Sequence, residues 1–175
     1  MNYLNRIADE LLSRKLRSSA AVLVEGPKWC GKTSTCAQLA KSVIYIQDPD
    51  KRNSYRKMAD TQPSLLLQGE TPRLIDEWQT IPVLWDAVRF AADQRQKMQQ
   101  FLLTGSATPL DDEDNDEIEH TGLGRIARLK MRPMSLWESK DSAGQISLQA
   151  LFDGTQEMGL FENPLTIQDL AFVMC

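Results

Sequence analysis

The eight residues from Gly26 to Thr33, GPKWCGKT, restrict this chain more than any other stretch. They satisfy G-x-x-x-x-G-K-[ST] at every fixed position. An apolar run at residues 20–24 precedes them and reads as a buried strand, and residues 34–41 after them read as a helix. In that setting Gly26 and Gly31 let the backbone wrap with its N–H groups inward, and the following helix adds its positive end. A polyphosphate is the expected guest. The cradle is expected to comprise Gly26, Pro27, Lys28, Trp29, Cys30, Gly31, Lys32, Thr33 and Ser34. Lys32 should meet the β- and γ-phosphates as a point charge, and the Thr33 hydroxyl should lie on a Mg²⁺ bridging them.

A strand and helix alternation continues on either side. Residues 3–17 place Leu4, Ile7, Ala8, Leu11, Leu12 and Leu16 at helical spacing, with Arg6, Asp9, Glu10, Arg14 and Lys15 on the opposite, solvent face. Further strands are expected at 42–47, 73–76, 101–104 and 126–131. A helix is expected at 83–94 with Leu84, Val88 and Ala91 or Ala92 inward, a short helix at 50–59 and a helical turn at 63–68. Strands alternating with helices imply an α/β fold with a mainly parallel sheet covered on both faces.

The third strand closes on Leu-Ile-Asp-Glu. A carboxylate at the end of a buried apolar strand is costly unless a cation meets it there, which a Mg²⁺ held by Thr33 and phosphates would do. Asp76 takes that metal role, and Glu77, one residue on, is placed to polarise a water for attack on the γ-phosphate. At the end of the fourth strand, Thr104 and Ser106 put hydroxyls where ligands gather in parallel sheets. Arg125 and Arg128 are candidate cations that would approach a phosphate across a subunit boundary.

Composition adds boundaries rather than chemistry. The 175 residues, 42% hydrophobic and 25% charged, suffice for one sizeable core. The net charge of −4 is shaped by seven acids between Asp111 and Glu119, read as a solvated loop. The remaining 17 acids against 20 basic residues leave a mildly basic remainder that neither argues for nucleic acid nor excludes it. Cys30, Cys36 and Cys175 have no metal-like spacing and read as reduced thiols. A polar N-terminus and the lack of a long apolar run lead to the expectation of a cytoplasmic location without membrane association.

GPKWCGKT, LIDEWQ, FLLTGSA and GRIARLKMRPMSLWE, in that order, resemble the AAA-type ATPase domain at the N-terminus of a widespread prokaryotic family of ATP-binding proteins. The resemblance implies a P-loop NTPase three-layer sandwich with five strands in the order 5-1-4-3-2. It also implies ATP and Mg²⁺ as cofactors, Lys32 and Thr33 as phosphate and Mg²⁺ residues, Asp76 and Glu77 as the Walker B pair, and Thr104 or Ser106 in the sensor position. Residues 1–19 would form the N-terminal helix, 20–134 the nucleotide-binding part, and 135–175 the start of a helical segment belonging to a longer, homo-oligomeric protein whose lid carries a further arginine. On that expectation this chain alone binds ATP and hydrolyses it slowly. A nucleotide-switched scaffold and a DNA-associated, helicase-like ATPase are the competing functions. A GTPase lacks its guanine reader here, and a small-molecule kinase lacks its arginine lid.

Overall fold

A computed structural model describes residues 3–106, 124–142 and 144–156 and the single positions 159, 166 and 168. The acidic loop at 111–119 and Cys175 lie outside the described residues. Two units are distinguished: residues 6–133 form one, and residues 1–5 together with 134–175 the other.

The larger unit runs α1 (Ile7–Ser18), β1 (Ala21–Gly26), α2 (Lys32–Ala37), β2 (Ser42–Tyr45), α3 (Arg52–Thr61), a 3-10 turn (Pro63–Leu67), β3 (Arg73–Asp76), a second 3-10 turn (Trp78–Thr80), α4 (Val83–Arg95), β4 (Phe101–Ser106) and β5 (Ile126–Lys130). Every recorded strand pair is parallel. The sheet order is β2-β3-β4-β1-β5, the expected 5-1-4-3-2 read from the other edge. The two central strands, β1 and β4, are buried almost throughout, as strands covered on both faces must be.

Alternation along each strand sorts the core into two clusters. Ala21, Leu23, Ile75, Phe101 and Leu103 face one side, where they pack with Ala59 of α3 and with Leu84, Trp85 and Val88 of α4. Val22, Val24, Leu74 and Leu102 face the other side, with Leu12 and Leu16 of α1 and Cys36 of α2. The result is the three-layer sandwich, with α1 and α2 over one face and α3 and α4 over the other.

The register decides what meets at the sheet's carboxyl edge. Ala21 and Arg73 both pair with Phe101, so β1, β3 and β4 start level. Three residues on, Val24, Asp76 and Thr104 stand in one row, with Asp76 and Thr104 on the α2 face by alternation.

Several elements end a few residues from the expected positions, β2 at Tyr45 among them, and three helices differ in ways that bear on the site. α1 starts at Ile7 rather than at residue 3 and carries Arg6 at its N-cap. Arg6 is 8% exposed rather than on the solvent face. α2 spans six residues only, because the chain turns at Gln38 and is drawn to the sheet by Lys41 N–H donating to Pro72 O at 2.8 Å, just before β2. α4 buries Trp85 as well, which tilts against Trp78 with ring centroids 5.1 Å apart.

The smaller unit includes α5 (Leu148–Phe152), whose N-cap Ser147 hydroxyl accepts from Ala150 N–H. In the turn before it, Ser135 N–H and Oγ both donate to Glu138 Oε2 at 2.8 Å. Among the described residues no helix is long and apolar enough to cross a membrane.

Candidate functional site

The loop between β1 and α2 is bound to the core at both ends. A Cβ on Gly26 would lie 2.3 Å from the Met131 carbonyl oxygen, so glycine is required there by the close approach of the chain leaving β5, not by an unusual φ. Gly31 is left-handed, with φ of 92°, and so is Trp29 at 68°. A left-handed non-glycine residue is uncommon. Trp29 is 92% exposed at the loop's outer side together with Pro27 and Lys28, whereas the Cys30 side chain is buried among Cys36, Val24 and Met131. Cys30 can therefore offer a ligand its backbone only. Because α2 begins at Lys32, the N–H groups of Lys32, Thr33 and Ser34 have no partner inside the helix, which leaves donors for an anion.

Lys32 is 5% exposed. Its ammonium donates to Gly26 O at 3.0 Å and to Pro27 O at 2.9 Å, which holds the charge inside the loop. An ammonium has three donors, so one remains for a guest.

Thr33 brings the loop onto the acidic strand. Its Oγ1 donates to Asp76 Oδ1 at 2.5 Å, and Thr104 Oγ1 donates to the same oxygen at 2.7 Å. Asp76 has no cationic partner among the described residues. Thr104, fully buried, also accepts the Glu77 N–H at 3.1 Å, so its hydroxyl is committed to the acidic pair.

Glu77 leaves β3 in the left-handed region, φ 58° and ψ 48°. Such a conformation persists only where its surroundings hold it, and it is commonest at functional sites. Here Thr104 holds its N–H, and Gln79 Nε2 donates to Glu77 Oε2 at 2.6 Å. Gln79 Oε1 is buried without a donor among the described residues.

Thr104→Val keeps the shape but leaves the Glu77 N–H without an acceptor. Urea unfolding should show a loss of about 1 kcal/mol, the lower end of the cost of an unpaired buried group, because the Glu77 N–H is only part-buried. Thr104→Ser should recover most of it, and a Val variant as stable as the parent would mean the hydroxyl does not hold the turn.

Other sequence candidates are distributed differently. Ser106 pairs in register with Gly26 and so lies beside the loop, its hydroxyl without a hydrogen bond among the described residues. Arg125 lies at the opposite end of the sheet, where its carbonyl accepts from Ala21 N–H at the start of β1. The length of β1 separates it from the loop by about 17 Å at 3.3 Å per residue. Its guanidinium is paired with Asp93 of α4. Arg128 is paired with Glu25 at 3.6 Å.

Cys30 and Cys36 are free thiols. Burial, and then the nearby Asp76 carboxylate, push the Cys36 thiol far above its ordinary range against the opposing charge of Lys32, which makes it unreactive.

Two contributors escaped the sequence. Arg6, assigned to solvent by its helical position, donates from one guanidinium nitrogen to Cys30 O at 2.9 Å and from the other to Arg132 O at 3.0 Å. No sequence signal marked it, because the helical spacing ran through residue 6 and only the structure places Arg6 at the N-cap. Gln79 gave no signal, because its contact depends on the turn that Glu77 makes.

Comparison with known proteins gives a family match and partial relatives. A family model described as AAA domain matches residues 18–140. An uncharacterized protein of Mycobacterium bovis and one of Mycobacterium tuberculosis are each 34% identical over 106 residues, which is 59% of this chain. The matched region is 24% of each relative's length, so the chain spans only a part of what they contain. A solved structure of C. elegans PCH-2 is 16% identical with a TM-score of 0.37, over 92% of this chain and 48% of that one, a likeness too weak to carry an argument.

Proposed function

The chain belongs to the AAA domain family, whose members are ATPase-type nucleotide-binding modules, and from that premise we propose that it binds ATP with Mg²⁺ and hydrolyses the β–γ phosphoanhydride bond. The observation that carries this is the single oxygen, Asp76 Oδ1, on which hydroxyls from the phosphate loop and from β4 converge.

The residues present fit the metal. A hydroxyl and a carboxylate are the hard oxygen donors that Mg²⁺ takes, and Asp76 is a half-buried carboxylate with hydroxyl donors and no cation beside it among the described residues. Thr33 and Asp76 would hold Mg²⁺, which when bound neutralises charge across the β- and γ-phosphate oxygens. Loop N–H groups and the third Lys32 proton bind the phosphates. Glu77 accepts a proton from the attacking water as its oxygen bonds to the γ-phosphorus, and the breaking bond leaves its electron pair on ADP. Thr104 and Gln79 keep the Glu77 backbone and carboxylate in place for that transfer. A cytoplasmic location and homo-oligomeric assembly, with Arg125 or Arg128 serving a neighbouring copy, accompany this reading.

Nucleotide-dependent melting tests it. At 100 times Kd, a ligand that binds only the folded state adds about 2.7 kcal/mol, which for a chain of this size raises Tm by about 5–10 °C. Mg·ATP and Mg·ADP should both do so. AMP, which lacks the phosphates the loop holds, should shift Tm little. Equal shifts from all three would reject the phosphate loop as the site.

A further inference from the structure

We infer that Arg6 is a positioning residue for phosphate binding, a buried fork that sets the orientation of the loop's Cys30–Gly31 peptide. The inference rests on the nucleotide site proposed above.

The backbone of Arg6 is fixed before the side chain is. Its N–H donates to Asp9 Oδ2 at 2.8 Å and its carbonyl accepts from Asp9 N–H at 3.0 Å, which locks the start of α1. From there the guanidinium spans two backbone carbonyls, Cys30 O in the loop and Arg132 O just beyond β5. In a trans peptide the carbonyl and the next N–H point in opposite directions. Holding Cys30 O therefore turns the Gly31 N–H away from the guanidinium. Gly31 admits this arrangement: a Cβ there would lie 3.2 Å from the same Arg6 nitrogen, and its φ of 92° suits glycine.

Arg132 is a firm second anchor. Its neighbour Met131 donates its N–H to Glu25 O at 2.6 Å, and the Met131 carbonyl backs onto Gly26. The chain leaving β5 thus supports the loop at Gly26 directly and at Cys30 through Arg6. A planar guanidinium holds two acceptors at a fixed separation, which a lysine ammonium on a flexible stem does not reproduce.

The test is calorimetry of Mg·ATP binding to this chain and to its Arg6→Ala, Arg6→Lys and Lys32→Ala variants, with far-UV circular dichroism and melting of each without nucleotide. Kd is expected to rise about tenfold in Arg6→Ala, the scale of one lost hydrogen bond from a charged donor, and by less in Arg6→Lys. Millimolar methylguanidinium should recover part of the lost affinity in Arg6→Ala, a response that damaged packing alone would not give.

A folded Arg6→Ala protein that binds within twofold of the parent, while Lys32→Ala has lost binding, overturns the inference. So does a loss that methylguanidinium leaves unchanged. If Arg6→Ala does not fold, Arg6→Lys decides: parental affinity overturns the inference, and a severalfold loss in a protein of unchanged helicity supports it. If Lys32→Ala binds like the parent, the site itself is wrong and this inference falls with it.

Discussion

Lys32→Ala should weaken Mg·ATP binding by about 10²-fold, the scale of truncating one partner of a buried, hydrogen-bonded charge pair. The loss has two parts. The charge facing the phosphates disappears, and the carbonyls of Gly26 and Pro27 lose the ammonium that draws the loop together. The second part acts without nucleotide, so the variant should also melt below the parent when both are free of ligand. Calorimetry gives the first effect and melting the second. Equal dissociation constants for variant and parent would remove Lys32 from the site, and with it the assignment of residues 26–33 as a phosphate cradle.

The acidic pair separates into two roles that two substitutions distinguish. Glu77→Gln should retain Mg·ATP binding and lose hydrolysis by about 10²–10⁴-fold, the usual contribution of a positioned general base. The amide keeps the size of the side chain and still offers an oxygen to Gln79 Nε2, so the left-handed turn should survive. Asp76→Asn should act on the metal requirement instead. The shared acceptor of Thr33 and Thr104 loses its charge, so saturation by Mg²⁺ should move to higher concentration before the maximal rate is considered. Phosphate release measured across a Mg²⁺ titration resolves the two. Parental rates in both variants would mean that the end of β3 is not where the chemistry occurs.

Much of this molecule was legible from local pattern. GPKWCGKT, the apolar run before it and Asp-Glu closing a short apolar strand need only neighbouring residues to be recognised, because loop, strand and helix signals are short-range. β3 was expected at 73–76 and runs there, and the five strands and the α/β class follow from the same alternation. Leu84, Val88 and either Ala91 or Ala92 were placed inward by helical spacing, and Leu84, Val88 and Ala92 are buried.

What depends on distant partners was not legible. The expected helix at 34–41 stops at Ala37, because the backbone after it must reach Pro72 O and enter β2. Thr104 read as a hydroxyl open to a ligand, yet the level register of β3 and β4 places it against Asp76 and the Glu77 N–H. Arg125 read as a cation for a phosphate across a subunit boundary, and the parallel pairing of β5 with β1 puts it at the far end of the sheet from its own loop, beside Asp93. Arg6 read as solvated from its helical position. Only the fold brings it against Cys30, 24 positions along the chain, and Arg132, 126 positions along. The sequence by itself determined which groups carry charge and hydrogen-bonding capacity and where four of the five strands begin. Tertiary structure decided which of those groups meet, because register, strand order and burial arise from contacts between residues that no local spacing relates.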